Sequence, residues 1–117
     1  MIVTVEDIKN ELDIDLVAVK GAKQAERWLK RREHEILAFI ATYAYGGMPQ
    51  VELYLKNSKY KAVIKEAIVE QVNYLAENNF VEPENIISRN NEYQCEQISK
   101  VVYNLLLANG LLWTGRC

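Results

Sequence analysis

The chain has 117 residues, 50% hydrophobic and 26% charged, which is the profile of one globular domain with a modest core and not of a disordered segment. With 14 Lys and Arg against 16 Asp and Glu the net charge is −2, so the basic surplus that drives binding to nucleic acid is missing. A single histidine, and two cysteines (Cys95 and Cys117) without Cys-x-x-Cys spacing, argue against a zinc site.

Met1 to Asp7 lacks a basic start followed by a long apolar stretch, so no signal peptide is expected. Thr4 and Asp7 have the spacing of a capping box and predict a short helix over Val5–Leu12, with Ile8 and Leu12 on its apolar face. Asp13 to Lys20 reads as a loop anchored by Leu16 and Val17. The second helix is the clearest element: Ala22, Ala25, Trp28, Leu29, Ile36, Phe39, Ile40 and Tyr43 recur at helical spacing. Arg32 falls inside that stripe and must reach the edge or pair with a carboxylate of another element. Gly46-Gly47 is expected to end the helix. Its longest apolar run, Ile36 to Ala41, is too short to cross a bilayer.

Pro49 can open a further short helix or turn at its first position. Ser58 is the expected N-cap of the third major helix, Lys59 to Asn78. Tyr60, Ile64, Ala67, Ile68, Gln71 and Leu75 share one face of it, with Val63, Val72 and Tyr74 flanking. Gln71 at the centre of that face needs a buried partner or a place at an interface. Residues 81–94 are polar and contain Pro83 and Asn90-Asn91, so they read as a long loop. A last helix from Glu96 to Ala108 would bury Ile98, Val101, Val102 and Leu105, ending at Asn109-Gly110. Nothing divides the chain, so residues 1–117 form one all-α domain, a bundle of three main helices plus one or two short ones.

Few residues suggest chemistry. His34 lies among Arg31, Arg32, Glu33 and Glu35 on the polar face of the second helix, with no cleft or orienting partner in view. Gly46-Gly47 lacks the following lysine of a phosphate loop. The carboxylates are scattered singly along helices as solubilising charges. No enzyme activity and no cofactor are expected. Arg27, Lys30 and Arg31, with Lys20 and Lys23 upstream, form a basic run that could meet phosphate or an acidic protein surface. Glu26, Glu33 and Glu35 balance it, which also fits a solvated helix face. The connections between helices are longer than a helix-turn-helix uses.

The C-terminal segment 110–117 is apolar where chain ends are usually polar. Leu111, Leu112 and Trp113 either fold back onto the core or dock into a partner, and Tyr103 and Leu107 lie off the expected core stripe of the last helix beside them.

The order of these features resembles the small helical head–tail connector (adaptor) proteins of long-tailed bacteriophages. The resemblance runs through Thr4-Val5-Glu6-Asp7-Ile8-Lys9, Leu12-Asp13-Ile14-Asp15, a long helix of the Ile36–Tyr43 type, Met48-Pro49-Gln50, Tyr74-Leu75-Ala76-Glu77-Asn78 and Gly110-Leu111-Leu112-Trp113-Thr114-Gly115. It covers most of the chain. The Val51–Tyr60 stretch looks inserted by comparison, and the second helix carries more charge than the pattern has. The resemblance implies a non-enzymatic virion protein, made in the bacterial host cytoplasm and placed at the head–tail interface. Its partners would be further copies of itself in a ring, usually of twelve subunits, the portal protein, and a tail or stopper protein. DNA would pass through the channel without sequence-specific binding, and no membrane would be involved. Leu111, Leu112, Trp113, Tyr103 and Leu107 would then serve partner binding. Subunit contacts would draw on Arg27, Lys30, Arg31 and Arg32 against Glu66, Glu70 and Glu77. The alternative is a small helical nucleic-acid-binding or regulatory protein using the basic face.

Overall fold

The computed structural model of the chain describes residues 2–44, 46–77, 80 and 98–112. Six helices and no strand are found among them. α1 (Val5–Leu12) opens on the expected reciprocal cap: the Thr4 hydroxyl oxygen accepts the Asp7 N–H at 3.1 Å, and the Asp7 carboxylate accepts the Thr4 N–H at 3.0 Å. α2 (Leu16–Lys20) occupies the stretch read as a loop. Asp15 caps it by accepting the N–H groups of Val17 and Ala18, satisfying donors that a first turn leaves open. Leu16 is fully buried, but Val17 is exposed and anchors nothing.

Gly21 both closes α2 and precedes α3 (Ala22–Tyr43), at φ 85°, a conformation that penalises a side chain. The expected stripe of α3 packs inward through Ala25, Leu29, Ile36, Phe39 and Ile40; Ala22 is exposed at its start, and Trp28 and Tyr43 are half-buried at its edge. The helix ends on Ala44 in an extended conformation, before the glycine pair rather than at it. Gly46, at φ 102°, instead precedes α4 (Gly47–Lys56), where a Cβ would lie 3.3 Å from Gln50 Cβ. α4 is a full helix, with Pro49 in its first turn, third rather than first.

Asn57, and not Ser58, caps α5 (Ser58–Glu77), its side-chain oxygen accepting the N–H groups of Lys59 and Tyr60. α6 (Lys100–Ala108) is capped by Ser99, whose hydroxyl accepts the Val102 N–H. The loop expected at 81–94 lies outside the described residues.

α3 and α5 are the two central helices. α4 and α1 pack on both, α2 packs on α3 and α1, and α6 lies on α5. The molecule measures 38 × 35 × 19 Å, about two helix diameters through its thin dimension. One continuous core runs from Val3 and Ile8 through Leu29, Ile36, Ile64 and Ile68 to Val102, Leu106 and Leu111. Each such side chain contributes about 1.5–3 kcal/mol by leaving water.

Four polar or charged residues are buried among the described ones: Arg32, Glu33, Gln71 and Ser99. Gln71 is fully buried, and its side-chain oxygen accepts the Ser99 N–H at 3.0 Å, so the partner that the central position demanded is the start of α6. Arg32 is also fully buried, and it pairs with Glu35 one turn along its own helix at 3.1 Å. Its guanidinium stacks 5.1 Å from the centre of the Trp28 ring. Glu33, expected on the solvated face, is 7% exposed and accepts the backbone N–H of Ile2, which seats the N-terminal segment against α3.

The phase of α6 differs from the expectation. Val101 is 61% exposed, and the buried residues are Val102, Tyr103 and Leu106, with Leu105 half-buried. Ile98 is buried but precedes the helix, so its spacing to Val101 and Leu105 carries no helical phase.

Candidate functional site

The residues expected to bind a partner separate on folding. Leu111 is fully buried and Leu112 and Tyr103 are each 8% exposed, all three within the core cluster. For Leu111 and Leu112 this is the fold-back alternative, held by Leu111 N–H donating to Leu106 O at 3.1 Å. Tyr103 packs its ring 6.3 Å from that of Phe39 and ties α6 to α3. These three residues are therefore structural, and Leu107 alone of the set is exposed on the described surface. Trp113 lies outside the described residues.

Of the residues expected at subunit contacts, Arg32 is withdrawn by its complete burial. Arg27, Lys30 and Arg31 are exposed along α3, and Glu66 and Glu70 lie on α5, Glu66 exposed and Glu70 partly so. The structure adds neighbours that sequence spacing does not show. Lys20, Gln24, Arg27, Trp28 and Arg31 line a groove of about 430 Å³ at the junction of α2 and α3. Three of these five are cations and none is an acid. Lys20 Nζ lies 5.2 Å from the ring centres of both Trp28 and Phe80, and those two rings meet edge to face at 5.6 Å. Trp28 is thus the half-buried floor of a basic site, not simply a core residue. Arg31 also reaches Glu35 at 3.8 Å, its side chain 66% exposed. Lys23, Glu26, Arg27 and Lys30 line the adjoining surface, where Glu26 is the one carboxylate among four lining residues.

A second groove, of about 400 Å³, runs between α1 and α5. Glu11, Glu66 and Glu70 flank it, and Leu12, Ala62 and Val69 supply apolar surface. Its one lysine, Lys65, is engaged with Asp7 at 3.7 Å, across the two helices. The Thr4 backbone N–H bonded to the Asp7 carboxylate holds that acid below its ordinary pKa of 3.8; Lys65 acts in the same direction. Glu11 comes from α1, far from Glu66 in sequence, and the only sequence signal for it is its exposed phase beside Leu12.

His34 is exposed on α3. Among the described residues no group of three or more His, Cys, Asp or Glu side chains is placed to hold a metal ion. No helix among them is long and apolar enough to cross a membrane. What the arrangement offers chemically is charge recognition: a basic surface with an aromatic floor on α2–α3, and an acidic groove with an apolar floor on α1–α5. Searches against known protein families, curated proteins and solved structures return no match to this chain.

Proposed function

We propose that this protein is a structural subunit that assembles with copies of itself, and that it serves as a head–tail connector of a bacteriophage virion, docking on the portal and joining capsid to tail. The observation that carries the assembly reading is the pair of separate, oppositely charged surfaces on one closed helical core. A subunit with head-to-tail contacts needs two different, complementary patches, because each copy uses one patch toward one neighbour and the other toward the next. The virion setting rests on the order of sequence features from Thr4-Val5-Glu6-Asp7 to Gly110-Leu111-Leu112. Electron microscopy of the purified protein, alone and mixed with portal, tests the proposal. Rings or decorated portals are the expected outcome; single particles of one subunit in both preparations, with bare portals, would exclude it.

One observation favours a second reading. Lys20, Arg27 and Arg31 line one groove with the half-buried Trp28 ring, and cations beside a partly accessible aromatic also suit a single-stranded nucleic acid. That reading requires binding that weakens steeply with salt.

A further inference from the structure

The assembly reading leaves open which surfaces meet, and the geometry assigns them. We propose that the α1–α5 groove of one copy receives the basic ridge of α3 from a second copy, Arg27 and Arg31 seating against Glu66 and Glu70. This inference rests on the assembly reading above.

Three features support the pairing. The first is sign: the ridge carries Lys23, Arg27, Lys30 and Arg31 with one carboxylate, Glu26, among them and Glu35 3.8 Å from Arg31, whereas the groove carries Glu11, Glu66 and Glu70 with one lysine, 3.7 Å from Asp7. Complementary potentials select partner and register. The second is spacing. Arg27 and Arg31 are four residues apart on one helix, and so are Glu66 and Glu70 on another. Each pair therefore rises by about 6 Å along its axis, and the two pairs match when the helices lie side by side. The third is shape. An exposed helix ridge fits a groove between two helices, as ridges and grooves fit in helical cores. The floor of Leu12, Ala62 and Val69 offers apolar contact to the methylene stems of the arginines. Ridge and groove belong to different helices and share no residue, so a copy can use both at once and the contact can propagate to a closed ring.

Charge reversal tests this directly. Two variants, Arg27→Glu with Arg31→Glu and Glu66→Lys with Glu70→Lys, change only side chains at the surface, and circular dichroism checks that each retains the helix content of the parent. Their association, alone and on portal, is then followed by sedimentation velocity and electron microscopy. Each reversal should weaken self-association by about tenfold or more, because it sets like charges against each other. Mixing the two variants should restore assembly, since the acidic ridge of one then meets the basic groove of the other. Failure of the mixture to assemble, or parent-like assembly of either variant alone, would overturn the pairing while leaving the assembly reading intact. Absence of any assembly by the parent, alone and on portal, would remove both. A fluorescent oligo(dT) strand captured by the parent, lost with the α3 reversal and unaffected by the α5 reversal, would reassign the ridge to nucleic acid.

Discussion

The side-chain oxygen of Gln71, in the middle of α5, accepts the backbone N–H of Ser99, the residue that caps α6. Both residues are buried. This hydrogen bond ties the start of the last helix to the middle of α5. Replacing Gln71 by Leu leaves the Ser99 N–H without its acceptor in a dry setting. The expected loss is about 1–3 kcal/mol of folding stability, read by urea unfolding, with most of the helix content retained.

Arg32 is a buried cation held by Glu35 and the Trp28 ring. Arg32→Ala opens a cavity at a fully buried site and removes the nearer of the two arginines at Glu35, so it should cost about 3–5 kcal/mol. Arg32→Met fills most of the volume without a charge and should cost clearly less. Because Arg32 faces no solvent, Arg32→Met should also leave self-association at the parent level, in contrast to reversal of Arg27 and Arg31. Urea unfolding and sedimentation velocity on the same samples separate the two effects.

The C-terminal leucines divide the tail into a structural part and the remainder. Leu111 is fully buried, so Leu111→Ala should destabilise by about 2–5 kcal/mol. Truncation after Gly110 should lower the melting temperature for the same reason. Truncation after Leu112 keeps both leucines, so any portal binding it loses belongs to residues 113–117 and not to the core.

The cap of α1 gives a pH dependence with a definite sign. The Asp7 carboxyl is held below 3.8 in the folded chain, chiefly by the Thr4 backbone N–H. A group depressed on folding stabilises above its unfolded pKa, and that contribution disappears as the pH falls through the folded value. Asp7→Asn should therefore be less stable than the parent at pH 7, and the difference should shrink as acid protonates the Asp7 carboxylate of the folded chain. Thr4→Ala should lose about 1 kcal/mol at neutral pH. Thermal melts across the acid range check both variants.

How far the sequence foretold this depends on the length of the element. α3 has 22 residues, enough turns for its apolar spacing to mark the buried face, although it stops at Ala44 and not at the glycine pair. α2 has five, too few for any period, and its Asp15 cap is seen only in the structure. At the start of α5 two good capping residues, Asn57 and Ser58, stand side by side, and composition does not choose between them. In α6 the buried Ile98 precedes the helix, and counting it as a helical position shifted the expected face onto Val101. The charged residues of the proposed interface could be read one by one, but their grouping could not. Lys20 joins Arg27 around Trp28, and Glu11 joins Glu66, only when helices distant in sequence pack.

Gly21 and Asn57 each end one helix and begin the next, and the rings of Tyr54 and Tyr60 meet at 4.9 Å across the second of these joints. Two of the connections between helices are therefore single residues, with almost no slack. Little chain entropy is spent in bringing α2 to α3 or α4 to α5, because the loops to be closed are as short as loops can be. The search that remains is the docking of α1 and α6 on α5. A chain wired in this way should reach its native state in microseconds to milliseconds, the range of helical domains dominated by near-neighbour contacts, ahead of any association that the proposal requires.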